Sequence, residues 1–162
     1  QRESLTHAVT GLPQGALVDE ALAQWLAAQP APPLWVVGLR HLDTFREAYG
    51  FIAADDALRA VALLLGRQLS PGTEDTAFLG HLDTTVWVLI GAPEAKSGFG
   101  ERLTRQLEQA LRLFYRSDDL DAGRFEGARL DVVVKPYTLS TIPATVTALR
   151  TALLGLMETD NA

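Results

Sequence analysis

The sequence contains no cysteine and only three histidines. The absence of cysteine excludes disulfide bonds, thiolate catalysis and zinc sites built on cysteine, and it is typical of a cytoplasmic protein. The histidines, His7, His41 and His81, do not follow the HxxxH or HExxH spacing that brings two imidazoles to one metal ion. We therefore expect neither a cysteine nucleophile nor a histidine-based metal site.

Positive charge is scarce, and long apolar runs are missing. The chain has 14 Lys and Arg against 20 Asp and Glu, a formal net charge of −6, and no block of basic residues. Nucleic acid is therefore a disfavoured partner. Each apolar stretch is interrupted by Gly, Arg or Pro well before the roughly 20 residues that a membrane-spanning helix needs. We expect a cytoplasmic chain that does not insert into a membrane.

Length and composition predict one domain. The 162 residues are 48% hydrophobic, which is enough for a sizeable core. No change of composition marks a second domain, and there is no internal repeat or low-complexity tract. The chain begins at Gln1 without a basic stretch and apolar run typical of a signal peptide. We expect residues 1–162 to be a single domain of a longer protein.

Apolar periodicity predicts an alternation of helices and strands. Three- and four-residue steps indicate helices, and short apolar runs indicate strands. The predicted helices cover residues 16–28, 43–49, 53–69, 103–114 and 142–157. The predicted strands cover residues 34–39, 76–80, 85–90 and 130–134, with the middle two forming an antiparallel hairpin. This order predicts an α+β fold in which a central sheet of about five strands is covered by helices on both faces.

Two segments carry a more specific pattern. Residues 10–13 read TGLP, and residues 49–58 read YGFIAADDAL. They resemble the entry motif and the YGHxxGDxxL segment of GGDEF domains, the diguanylate cyclase family, and the order of elements is similar over residues 5–157. The resemblance implies a nucleotidyl-cyclase-like sheet and the condensation of two GTP molecules into cyclic di-GMP. It also implies Mg²⁺ held by an aspartate on the first strand and an acid in the hairpin turn.

The first strand departs from the family at the positions that hold metal and phosphate. Counted back from residues 49–50, the metal-binding aspartate falls on Gly38, a second acid on Arg40, and the phosphate-binding lysine on Asp43. Gly38 has no side chain to offer a metal ion. Arg40 and Asp43 reverse the charge that the family places there, and Arg40 is expected to repel a cation. We therefore expect no metal site on this strand.

The hairpin turn departs from the family as well. Aligned on the strand that follows, the five signature positions fall on Leu82, Asp83, Thr84, Thr85 and Val86. A frame shifted by one residue, beginning at His81, is the alternative. Leu82 and Asp83 replace the paired glycines that let phosphate oxygens approach the backbone. Thr84 and Thr85 replace two acids, and a threonine hydroxyl is a weak Mg²⁺ ligand and no general base near neutral pH. We expect a degenerate signature turn with no catalytic residue.

Two positions remain as a candidate nucleotide-binding remnant. The family's guanine-reading asparagine aligns with Arg46, and its guanine-reading aspartate aligns with Asp55, which is retained. Asp55 could accept hydrogen bonds from a guanine edge. The favoured alternative is that Asp55 caps the helix predicted over residues 53–69, a common role for aspartate near a helix start.

Three further features are expected to have no functional role. The family's product-binding RxxD motif, just ahead of the hairpin, is replaced by Thr73 and Thr76. Residues 116–119 read RSDD, but they follow the next helix and are interpreted as its solvated end. His81 is interpreted as an exposed turn histidine, with a general-base role as the less favoured alternative.

These observations lead to three hypotheses of function. The first is a catalytically inactive, degenerate GGDEF-like module for regulation or association in bacterial signal transduction. It would need no cofactor, and its partners would be other domains of the same chain, a signalling protein or a second copy. The second is a non-catalytic receptor for GTP or cyclic di-GMP. The third and most distant is an active nucleotidyl transferase.

Overall fold

The order of helices and strands predicted from the sequence is confirmed, with small additions. A computed structural model describes residues 4–69, 77–138 and 143–158. The elements in chain order are α1 (Ala16–Ala27), β1 (Leu34–Arg40), α2 (Leu42–Tyr49), α3 (Phe51–Gly66), β2 (Phe78–Asp83), β3 (Val86–Ile90), a 3₁₀ turn (Ala95–Ser97), α4 (Phe99–Arg112), α5 (Ser117–Asp121), β4 (Asp131–Pro136) and α6 (Val146–Glu158). The 3₁₀ turn and the five-residue α5 were not predicted. Ile142, Thr73 and Thr76 lie outside the described residues.

The sheet has four antiparallel strands in the described part of the chain, where about five were predicted. Their order is β2-β3-β1-β4, so β1 pairs with β3 on one edge and β4 on the other. A strand with neighbours on both edges and helices on both faces has no solvent side, which explains why β1 is a continuous apolar run. The predicted hairpin is confirmed as β2 and β3.

Helices cover both faces of the sheet, as predicted. Alternate residues of a strand point to opposite faces, so β1 supplies two separate cores. One core joins β1 residues Trp35, Val37 and Leu39 to apolar side chains of α2, α3 and α4. The other joins Leu34 and Val36 to apolar side chains of α1 and α6. The domain is therefore a helix–sheet–helix sandwich built around β1.

A single glycine separates the two helices that follow β1. Gly50 has φ of 92°, a left-handed conformation that residues with a Cβ rarely adopt, and its N–H donates to the carbonyl of Arg46. The predicted end of α2 at residue 49 is thus confirmed. Because Gly50 also precedes the first residue of α3, this helix begins at Phe51 and not at residue 53.

None of the helices in residues 4–69, 77–138 and 143–158 is both long and apolar enough to cross a membrane.

The burial of the two leucines Leu107 and Leu63 predicts that they contribute very differently to the free energy of unfolding. Leu107 of α4 is 0% exposed within the larger core, whereas Leu63 of α3 is 65% exposed. Leu107→Ala should lower the free energy of unfolding by about 2–5 kcal/mol, because it removes buried apolar contact and leaves a cavity. The same change at Leu63 should cost about 0.5 kcal/mol or less. Urea denaturation of both variants measures this, and equal losses would contradict the assigned burial.

Candidate functional site

The turn between β2 and β3 and the start of α2 enclose an open cleft of about 440 Å³. We call it the turn cleft. It is lined by Leu39, His41, Leu42, Asp43, Thr44, Arg46, Thr84 and Thr85. It therefore brings together three of the sequence-predicted groups, which are the reversed charge at Asp43, the remnant Arg46 and the threonines of the turn. Asp55 does not line it.

The turn is shorter than the five signature positions. β2 extends to Asp83 and β3 begins at Val86, and these two residues are paired across the strands. Thr84 and Thr85 alone form the connection, and the Thr84 N–H donates to Asp83 Oδ1 at 2.8 Å. The Thr85 carbonyl accepts from the Leu39 N–H at 2.9 Å, which fastens the turn to β1.

Leu82 does not face the turn cleft. It lies where the pairing of β2 with β3 shifts register, and its side chain is buried in the core formed with α1 and α6. The expectation that Leu82 stands where phosphates would approach is therefore wrong, because the signature frame treats as loop a residue that belongs to a strand. Its carbonyl accepts from Arg150 Nη2 of α6 at 3.2 Å.

Two features of β1 occupy the positions that the resemblance assigns to metal. Arg40 donates from Nε to Asp131 Oδ1 at 2.8 Å and from Nη2 to Oδ2 at 2.9 Å, and the two residues are direct neighbours across β1 and β4. At Gly38, a Cβ would lie 2.6 Å from Met157 Sδ on α6. The space beside Gly38 is thus filled from α6, and Arg40 is held in a two-pronged ion pair.

Arg46 and Asp43 form a pair on α2. Arg46 Nη1 donates to Asp43 Oδ1 at 2.8 Å, across one helical turn. The guanidinium also lies over the ring of Phe51, 5.8 Å from its centre, in a cation–π contact. The cation that could hold a nucleotide phosphate or carbonyl is therefore already engaged with an acid and an aromatic ring.

The favoured assignment of Asp55 as a helix cap is wrong. The cap position of α3 is Gly50, so Asp55 is the fifth residue of the helix, where backbone N–H groups already have helical partners. Asp55 is half-buried, and its negative charge acts on His7 of the N-terminal segment, partly opposing the fall in the pKa of His7 that burial causes. Asp55 therefore faces the N-terminal segment.

His81 is a buried strand residue, and its assignment as an exposed turn histidine is wrong. It lies in β2 and is 2% exposed. Its Nδ1 is 3.0 Å from the Asp83 carbonyl, which can only accept, so Nδ1 carries the proton. Its Nε2 therefore accepts from the Thr10 hydroxyl at 2.7 Å. Both ring nitrogens are satisfied in the neutral form, which is the arrangement of a structural histidine.

The segment before α1 explains this burial. Residues Thr6 and Pro13 form a bridge, and the Pro13 carbonyl accepts from the His81 N–H at 2.8 Å. The rings of His7 and His81 stack with centres 4.2 Å apart and planes 15° apart. The TGLP motif thus folds back over β2. Sequence reasoning missed this cluster, although the position of Thr10 at the start of that motif was the available signal.

The RSDD segment at residues 116–119 is only partly a solvated helix end. Arg116 is exposed and lies 3.8 Å from Asp118. Asp119, in contrast, accepts a hydrogen bond from the Tyr49 hydroxyl and lies 3.5 Å from Arg124 Nε. Burial and this bond raise the pKa of Tyr49. Asp119 therefore anchors the end of α2.

The described side chains set the chemistry that these sites can perform. The turn cleft offers threonine hydroxyls, the His41 imidazole and one Asp–Arg pair. Among the residues that the structure describes, no group of three or more His, Asp or Glu side chains is placed to hold a metal ion. His81 is buried, with the Thr10 hydroxyl on its Nε2 and the His7 ring stacked on its own.

Comparison with known proteins identifies the fold. No family model and no curated protein sequence matches the chain. Among solved structures, a microbial GGDEF domain studied with cyclic di-GMP aligns with a TM-score of 0.65 at 15% identity, over 97% of this chain and 92% of that one. The GGDEF domain of DgcB from Caulobacter crescentus, in complex with c-di-GMP, gives 0.57 at 18% identity, over 98% and 93%.

A longer protein shares the fold over part of its length. The S helix-GGDEF-EAL structure of Vibrio cholerae LapD, bound to c-di-GMP, gives a TM-score of 0.59 at 13% identity. The alignment covers 90% of this chain and 31% of that one. The chain therefore has the fold of GGDEF domains, and the resemblance found in the sequence is confirmed at the level of fold.

The buried histidine predicts a pH-dependent stability. Burial lowers the pKa of His81 from 6.5 to about 4, with the neighbouring His7 acting in the same direction. The unfolded chain therefore takes up a proton before the folded chain does. The contribution of His81 to stability should be fully present well above pH 6.5 and be lost as the pH drops toward 4, by at most about 1.4 kcal/mol per pH unit.

Urea unfolding between pH 7.5 and 4.5 measures this dependence. The His81→Gln variant keeps hydrogen-bonding groups but cannot titrate, so its stability should decline less steeply over the same range. An equal slope in both proteins would show that His81 is not the group responsible.

Proposed function

We propose that this chain, which has the fold of GGDEF domains, is a regulatory or association module of bacterial signal transduction that does not make cyclic di-GMP. The observation that carries the proposal is the closed end of β1. There the positions that the resemblance assigns to metal are taken by the Arg40–Asp131 ion pair and by Gly38 packed against Met157.

The ion pair opposes metal binding in two ways. Arg40 places a permanent positive charge where the family has an acid, and a cation nearby would be repelled. Both carboxylate oxygens of Asp131 accept from Arg40, so this acid could bind a metal only by giving up two charge-assisted hydrogen bonds. A catalytic Mg²⁺ would have to compete for Asp131 with the guanidinium of Arg40, which the adjacent strand β1 holds close to that carboxylate.

The turn cleft supports the same conclusion. The one carboxylate among its lining residues, Asp43, is bonded to Arg46. The turn presents Thr84 and Thr85, whose hydroxyls neither neutralise a metal ion nor accept a proton from a ribose hydroxyl near neutral pH. Such a site does not provide the charge stabilisation that phosphoryl transfer requires.

An association role fits the surface near α2 and α3. Phe51 and Ile52, at the start of α3, are largely exposed apolar side chains, and the Phe51 ring lies beside the Arg46 guanidinium. Adjacent exposed apolar residues are a common feature of contact surfaces. The partners of such a module would be other domains of the same chain, another signalling protein or a second copy.

A receptor for GTP or cyclic di-GMP is the second candidate. It is favoured by the volume of the turn cleft and by the Arg46 guanidinium at its wall, whereas the retained Asp55 lies outside that cleft. A nucleotide bound there would be held by hydrogen bonds and the arginine, without metal and without turnover.

We predict that the purified protein makes no cyclic di-GMP from GTP with Mg²⁺ or Mn²⁺. The reason is the missing metal ligands at Gly38 and Thr84. Chromatography with mass detection measures the product, and an active diguanylate cyclase assayed in parallel is the control. Product above the no-protein background would establish the third hypothesis, an active nucleotidyl transferase.

The double variant Thr84→Asp, Thr85→Glu extends this test. It restores the two acids of the turn but leaves Gly38 and Arg40 in place, so it should remain inactive. If it formed cyclic di-GMP, the closed end of β1 would not be what prevents turnover.

Thermal unfolding separates the association module from the receptor. A ligand present at about one hundred times its Kd adds roughly 2.7 kcal/mol to the free energy of unfolding. For a domain of this size about 1 kcal/mol moves the melting midpoint by roughly 2–4 °C. We predict no shift with GTP or cyclic di-GMP, with or without Mg²⁺.

The variants Arg46→Ala and Asp55→Ala are the matched controls for that measurement. A saturable rise in the melting midpoint of the wild type that either variant abolishes would replace the association proposal with the receptor.

A further inference from the structure

A second cleft lies between the C-terminal half of α4 and the residues that lead into β4. It has a volume of about 330 Å³ and is lined by Arg105, Glu108, Gln109, Arg112, Tyr115, Arg129 and Leu130. We call it the arginine cleft. None of these residues lines the turn cleft. Three guanidinium groups and one carboxylate meet here, although the chain as a whole carries a net charge of −6.

The spacing along α4 places two of the arginines on one side of the cleft. Arg105 and Arg112 are separated by seven residues, or about two helical turns, with Glu108 between them. Both arginines are exposed, and neither forms an ion pair with a residue in the described ranges. Their charge is therefore offset only by Glu108 within the cleft.

The third arginine is fixed by the backbone on the opposite side. Arg129 donates from Nε to the Arg124 carbonyl at 3.2 Å and from Nη2 to the Leu120 carbonyl at 3.3 Å. A guanidinium has five N–H donors, so three remain after these two bonds. The two carbonyls fix the orientation of the Arg129 guanidinium without neutralising its charge. This fixed orientation reduces the conformational entropy lost when an anion binds.

Tyr115 adds a neutral donor to the same cleft. Its ring is buried, and its hydroxyl oxygen accepts from the Leu130 N–H at 2.8 Å. That bond leaves the hydroxyl hydrogen to donate to a ligand. Burial raises the pKa of Tyr115, so the hydroxyl keeps its proton at neutral pH.

We infer that the arginine cleft binds the phosphoryl group of a small organic phosphate. Guanidinium forks match the oxygen geometry of phosphate, and a doubly charged group needs more donors than a carboxylate does. The volume lies at the lower end of the roughly 300–1,000 Å³ range of small-molecule sites. Tyr115 and Leu130 supply an apolar wall for the rest of the ligand. Because its lining residues are distinct, the site is separate from the turn cleft.

Amide NMR of the ¹⁵N-labelled chain tests this proposal, with inorganic phosphate and glucose 6-phosphate as probes. The Leu130 amide should be a direct reporter, because its hydrogen bond to Tyr115 would change on binding. We expect saturable shifts at residues 129 and 130, tighter binding of the sugar phosphate than of inorganic phosphate, and weaker binding at higher salt.

Variants of single arginines determine whether phosphate binds in the arginine cleft. Arg112→Gln and Arg105→Gln should each weaken binding by about tenfold, the usual effect of losing one charge-assisted hydrogen bond to an anion. Arg67→Gln removes the same charge from an exposed residue that does not line the cleft, and it should leave affinity unchanged.

Three results would overturn the inference. They are shifts that never saturate, an equal loss of affinity in Arg67→Gln, and citrate binding as tightly as glucose 6-phosphate. The last would indicate a general anion site that does not distinguish a phosphoryl group.

Discussion

The burial of β1 on both faces and both edges is the constraint on which the rest of the domain depends. Two strands pair with it, and two separate cores form on its opposite faces. Its apolar side chains leave no room for polar function until the strand ends at Arg40. The polar groups of the turn cleft therefore lie beyond that end, in the start of α2 and the hairpin turn.

At that end, most polar groups are already bonded to each other. Arg40 pairs with Asp131, Arg46 with Asp43, and His81 with Thr10. The Arg40–Asp131 pair is partly exposed, at 37% and 32%, so its contribution to stability is modest. Its larger effect is on specificity, because a ligand must displace an intramolecular partner.

The sequence predicted what depends on local pattern and missed what depends on distant contacts. Apolar periodicity located the helices and the hairpin, and Gly50 marked a true helix boundary. The burial of His81 depends on Thr10, which lies 71 residues away in the chain, and no local pattern reports that contact. The Arg40–Asp131 pair joins residues 91 apart. Asp55 was misassigned because the start of α3 was placed two residues late.

The contact between Gly38 and Met157 has an evolutionary consequence. Any side chain at position 38 must share its volume with the sulfur of Met157, so the two positions are not free to change independently. A mutation that introduced an acid at 38 would be tolerated more readily after 157 had become smaller. The order of the two substitutions would therefore matter. The packing of Met157 therefore makes the effect of a substitution at position 38 depend on the residue at position 157.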